Sequence, residues 1–150
     1  MHALSRVALV AALGALVALA ACAPQARRLA YPDGQTYEEC QWRGALRDGL
    51  RRNYYPDGQL ERELSYVRGK AEGPARFFNP AGVLLRAGAY HEGLREGSWT
   101  ARHDNDRPSA EGAFVRGEKD GTWRSWDENG VALSEERWSR GVLVGRGGAP

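Results

Sequence analysis

Between positions 59 and 67 apolar and polar residues alternate: Leu60, Leu64 and Tyr66 fall on one side of an extended chain, Gln59, Glu61, Glu63 and Ser65 on the other. A period of two predicts a half-buried β-strand. The strand is bounded by Pro56-Asp57-Gly58 before it and Gly69 to Gly73 after it, and the same arrangement returns at a fixed interval. Gly49, Gly73, Gly97, Gly121 and Gly145 keep this interval without exception. Gly34, Gly58, Gly82 and Gly130 keep it too, with Asp106 in the missing place, as do Gly69, Gly93, Gly117 and Gly141. Aromatic residues follow the same beat at Trp42, Tyr66, Tyr90, Phe114 and Trp138, and at Trp99 and Trp123. Glycine series mark turns, because glycine alone takes positive φ without steric cost. Each unit therefore predicts two strands and two tight turns, one turn at 56–58, 79–82 and 127–130, the other a G-x-x-x-G loop at 69–73, 93–97, 117–121 and 141–145. Shorter return segments at 74–79, 98–103 and 122–127 carry Phe or Trp. Stacking of such units gives an all-β fold, an elongated antiparallel β-meander of hairpin repeats forming a single-layer sheet. Every window long enough for a helix is broken by glycine or proline after residue 30.

The N-terminus has a different pattern. Arg6 precedes an unbroken apolar run at 7–21, which is shorter than the roughly 18 residues needed to span a membrane as a helix. The three-part arrangement of a positive start, an apolar helical stretch and small residues is that of a secretory signal peptide at 1–21. It ends in Leu19-Ala20-Ala21-Cys22, which resembles the bacterial lipobox. That resemblance implies thioether attachment of a diacylglycerol to Cys22, a membrane partner held through the lipid, and residues 22–30 as a polar tether. Two or three acyl chains would anchor durably where one holds marginally. Ala23 stands where the inner-membrane retention signal would place Asp, implying the periplasmic face of an outer membrane in the cell envelope.

Composition narrows the function. Removal of the signal segment leaves enough chain for one ordinary domain, and the loss of Arg6 lowers the formal net charge of +2 by one. A near-neutral balance argues against nucleic acid as partner. With Cys22 acylated, Cys40 has no partner for an internal disulfide and reads as a partly buried strand residue.

The unit YYPDGQLERELSYVRGKAEG at 54–73 resembles the bacterial variant of the MORN repeat, and the units beginning at Phe77 and Ser125 match it well. The unit between them is degenerate, with Asp106 and Pro108, and an irregular first unit starts at Tyr31. The likeness covers 31–145, leaving 146–150 as a tail. It implies stacked hairpins with aromatics between them and no catalytic residues. Classical MORN repeats are linked to membrane lipids and to scaffolding, and relatives of this variant are often labelled antitoxin components of toxin–antitoxin systems.

The residues point to no enzyme, cofactor or metal. His91 and His103 lack partners at ligand spacing, and Asp104-Asn105-Asp106 lacks the glycine and glutamate of a calcium loop. Glu39, Glu63, Glu111 and Glu135 recur at the repeat interval, with Ala87 interrupting, and read as a solvated face paired with neighbouring arginines. Two features suit binding. Arg68, Arg116 and Arg140 each precede a turn glycine and should line one edge of the sheet, where lipid phosphates or an acidic partner could meet them, ordinary solvated turn residues being the competing account. Trp99, Trp123 and Trp126 crowd the last two units, more rings than one face of a thin sheet need bury. Core packing between hairpins remains the competing account of these rings. The expected function is a non-catalytic, lipid-anchored module that binds an envelope protein, with lipid head groups, cell-wall glycan or toxin neutralisation as alternatives.

Overall fold

The computed structural model describes residues 23–148. The signal segment with its expected helix, Cys22 and the last two residues lie outside the described residues. Within them the chain forms eleven strands in one open sheet, ordered as in sequence, each antiparallel to the next. They are β1 Gln25–Ala30, β2 Thr36–Arg43, β3 Leu46–Tyr54, β4 Leu60–Val67, β5 Lys70–Phe78, β6 Leu84–His91, β7 Leu94–Arg102, β8 Pro108–Val115, β9 Glu118–Trp126, β10 Ala132–Ser139 and β11 Val142–Gly147. No helix occurs among the described residues. The expected single-layer meander is the observed fold.

Three expectations about its parts need correction. Positions 25–30, read as tether, are a strand: β1 pairs with β2 from Gln25↔Trp42 to Ala30↔Thr36. Apolar alternation is missing from β1, which obscures it, yet Arg28 stands one repeat interval before Arg52 and two before Arg76, the same place in two later return strands. The end of the repeat domain also moves, because β11 runs on to Gly147.

The third correction concerns Gly49, Gly73, Gly97, Gly121 and Gly145, which are not turn residues. The turns are two-residue connections at Arg68-Gly69, Glu92-Gly93, Arg116-Gly117 and Arg140-Gly141, with positive φ at both positions (49° and 84° at the first). That pair of angles defines a type I′ hairpin, whose twist matches the strands it joins. Gly73 lies inside β5, where Leu64↔Ala75 and Tyr66↔Ala71 leave three residues of β5 facing Ser65. Gly49, Gly97 and Gly121 occupy the same bulge in β3, β7 and β9, all at positive φ. A bulge must absorb surplus residues by local kinking, and glycine absorbs it without strain. Gly145 sits within β11 and does not have positive φ.

The opposite edge carries three-residue turns such as Pro56-Asp57-Gly58, closed by the Gly58 N–H donating to Tyr55 O at 2.9 Å and Tyr55 N–H to Gln59 O at 2.8 Å. Asp106 takes φ 65° where its counterparts are glycines. On this edge the units are tied together by Tyr31 OH donating to Tyr54 O, Tyr55 OH to Phe78 O, and His103 Nε2 contacting Trp126 O, each reaching into the next unit.

Alternation along each strand gives the sheet two unlike faces. One bears a row of directly opposed charges: Arg28↔Glu39, Glu39↔Arg52, Arg52↔Glu63, Glu63↔Arg76, then Ala87 and Thr100, then Glu111↔Arg124 and Arg124↔Glu135. Arg28 meets Glu39 at 2.7 Å, Arg52 meets Glu63 at 2.7 Å, Arg76 also meets Glu63, and Arg124 reaches Glu135 at 3.1 Å. The recurring glutamates are thus the expected salt-bridged, solvated face. The other face holds the core.

Candidate binding face

On the core face, residues at one height of successive strands form a row: Cys40, Arg51, Leu64, Ala75, Gly88, Trp99, Gly112 and Trp123. Large and small alternate along its later half. A Cβ built on Gly88 would fall within the indole of Trp99, and one on Gly112 within that of Trp123. The missing side chains let each indole lie flat across the neighbouring strand. Each ring nitrogen then finds a backbone acceptor, Trp99 Nε1–H donating to Ala89 O at 3.1 Å and Trp123 Nε1–H to Ala113 O at 3.0 Å. Tyr90, Trp99, Phe114 and Trp123 pack edge to face with centroids 4.9 to 6.0 Å apart, the geometry that ring quadrupoles favour. Leu64, Ala75, Trp99 and Phe114 are buried, and Tyr66, Phe77, Tyr90 and Trp123 flank them.

Trp99 is therefore core rather than contact surface, 7% exposed, because a glycine beneath it lets it sink into the sheet. Trp123 stands at the border of the core and is half-buried. Trp126 is separated from both: it follows Trp123 by three places in β9 and faces the side of the charged row, beside Arg124 and Glu135.

Arg68, Arg116 and Arg140 do lie along one edge, at equivalent turns, with exposed side chains. The row is interrupted by Glu92, and it stands over carboxylates. Glu72 accepts from Glu92 N–H at 2.8 Å, Glu96 from Arg116 N–H at 2.8 Å and Asp120 from Arg140 N–H at 3.2 Å. Each acid precedes the bulge glycine of a strand and fastens the backbone of the next turn. The edge is mixed in charge rather than basic.

A second set of cations lies on the core face itself and was not foreseen from sequence. The Arg95 guanidinium carbon sits 3.8 Å from the Phe114 ring centre, Arg86 lies 5.1 Å over Phe77, and Lys119 Nζ is 4.4 Å from Trp123 and 4.6 Å from Trp138. Arg86, Arg95 and Lys119 surround an open groove of about 150 Å³ floored by Trp99, Phe114 and Trp123. The signal was available: Arg47, Arg95 and Lys119 share one phase of the repeat, with Ala71 taking the place between the first two.

The first unit differs. There Arg47 lies over Trp42 and Tyr66, and Glu38 joins Arg51 at 2.6 Å and Arg47 at 3.4 Å. Burial works to raise the Glu38 pKa, but hydrogen bonding and charge from Arg51, with Arg47 and Asn53, outweigh it and hold the carboxyl below the usual range. Burial pushes the neighbouring Cys40 thiol up. Among the described residues no group of three or more His, Cys, Asp or Glu could hold a metal ion.

These repeated hairpins have a recognisable sequence. Residues 47–68 and 119–138 match the MORN repeat variant. The two segments begin three repeat intervals apart, and each starts at one of the core-face cations, Arg47 or Lys119, and runs through its strand into the next. MORN repeats are generally protein- or lipid-interaction modules, consistent with a non-catalytic role. No curated protein matches the chain.

Proposed function

We propose that the chain is a lipid-anchored, non-catalytic interaction module of a bacterial cell envelope, presenting its sheet to a partner protein. The observation that carries the reading is the groove of three aromatic-backed cations on an otherwise salt-bridged open sheet. A sheet one layer thick buries few side chains and leaves two broad faces, the build of a display surface. Anchoring rests on Leu19-Ala20-Ala21-Cys22, and the outer-membrane location rests on Ala23.

In-cell crosslinking of the full-length protein, followed by affinity capture and mass spectrometry, tests the module. A single dominant protein partner is expected, and recovery of lipid or peptidoglycan alone would overturn the reading. Cys22→Ser tests the anchor: the variant should leave the membrane fraction, and its persistence there would refute lipidation. A second reading, binding of lipid phosphates, is favoured by the exposed Arg68, Arg116 and Arg140. Glutamate at all three should then abolish binding to anionic vesicles.

A further inference from the structure

We infer that the groove around Arg86, Arg95 and Lys119 receives an acidic, extended segment of a partner protein, with two carboxylates four positions apart, on one face of that segment, engaging Arg95 and Lys119. The inference rests on the interaction-module reading and names the chemistry of the partner.

The repeat supplies its own comparison. In the first unit the aromatic-backed cation Arg47 is neutralised from within, by Glu38, whose side chain is 5% exposed. In the four units that follow, the place of Glu38 is taken by Arg62, Arg86, Ala110 and Ser134. The carboxylate is lost, and at β4 and β6 it is replaced by a cation. Arg95 and Lys119 nevertheless keep the place and the aromatic support of Arg47. Among the described residues none of the eleven ion pairs includes Arg86, Arg95 or Lys119, and their side chains donate no hydrogen bond within the chain.

Lying on rings, these cations are held in place before any anion arrives, so less rotamer freedom remains to be lost on binding. The rings below them supply an apolar floor for the side chain midway between two anchoring carboxylates. Spacing favours a chain over a lipid head group. Arg95 on β7 and Lys119 on β9 occupy equivalent positions two strands apart, roughly 10 Å at about 4.8 Å per strand. In an extended peptide laid across the strands alternate side chains share a face, so carboxylates four positions apart both point at the sheet, about 13 Å apart, a span the long Arg95 and Lys119 side chains can meet from either side. A single phosphodiester meets only one of the two.

Fluorescence anisotropy of the full-length protein in detergent would test this, using labelled peptides with two glutamates, or two lysines, four positions apart and a phenylalanine midway between them. The glutamate peptide should bind and the lysine peptide should not. Arg95→Gln with Lys119→Gln should weaken binding about tenfold or more, the scale of lost charge-assisted hydrogen bonds. Lys70→Gln, a charge change outside the groove, should leave it unchanged. The near-ultraviolet circular dichroism of the indoles should be the same in every variant. Equal affinity in the double variant, absence of glutamate-peptide binding, or binding of phosphatidylglycerol vesicles through Arg95 and Lys119 in place of the peptide would overturn the inference. Capture of crosslinked partner separates the two readings. A partner retained by the double variant refutes the groove while the module stands, whereas no partner with the wild-type chain refutes the module.

Discussion

The indole of Trp99, on β7, covers the backbone of Gly88 on β6 so closely that the glycine position cannot accept even one carbon. Gly88→Ala should therefore destabilise the fold by about 2 kcal/mol, the cost of overpacking a filled site. Trp99→Ala should cost about 3 kcal/mol through the cavity it opens. Combined, the two should cost clearly less than their sum, since the removed ring vacates the space the methyl needs. Urea unfolding of the single and double variants measures the coupling, and strict additivity would contradict the packing.

The bulge glycines make a different prediction. Gly97 has open space around a would-be Cβ, but its φ is 70°. Gly97→Val should cost more than about 1 kcal/mol through backbone strain alone. Gly145 has the same place in the repeat without positive φ, so Gly145→Ala should stay within about 0.5 kcal/mol of wild type. Thermal melts of the pair distinguish a conformational requirement from a merely periodic glycine.

Acid should loosen the N-terminal half of the sheet. The Glu38, Glu39 and Glu63 carboxyls all lie below their ordinary values. Hydrogen bonds from Arg76 and Arg52 lower Glu63, and those from Tyr54 and Arg28 lower Glu39. A depressed folded-state pKa means that the unfolded chain binds protons first. The stability these groups add is present above the unfolded carboxyl range, near about pH 4.3, and is lost as pH falls through their folded values. Glu38→Gln should cost about 2 kcal/mol at neutral pH by leaving Arg51 without its carboxylate. It should also flatten the decline in stability between about pH 5 and about pH 3. Denaturant titrations across that range read both effects, and an unchanged acid slope would count against the Glu38 pairing.

Cys40 is 3% exposed. In the Cys22→Ser variant its thiol should resist a disulfide reagent in the folded protein and react within the unfolding transition. Immediate reaction under native conditions would show that the strand around it opens.

The repeat interval, the alternation of 59–67 and the turn glycines made the meander and its charged face legible in the sequence, because each is a local property repeated until chance is excluded. The details that went unseen depend on what lies across the sheet. The G-x-x-x-G spacing does not say which glycine turns the chain. The answer follows from cross-strand registry, which places Gly69 in the hairpin and Gly73 in the bulge. Trp99 and Trp123 look alike in sequence, yet their burial depends on Gly88 and Gly112, each on the strand before. Arg95 and Lys119 carried a periodic signal, but only the cross-strand placement of Glu38 shows that one unit is neutralised and the others are not.

β1 stands in the same phase as the later return strands, and among the described residues every strand is hydrogen-bonded to its neighbours in sequence, without a crossover or closure. Such a sheet has no prescribed number of units. A gene that gains or loses one whole unit hands the next hairpin the same register, the same turn and the same row of side chains to lie against. Descent can therefore lengthen or shorten this protein as one would a ribbon, while an individual unit, by exchanging a single acid for an arginine, changes from self-neutralised to open.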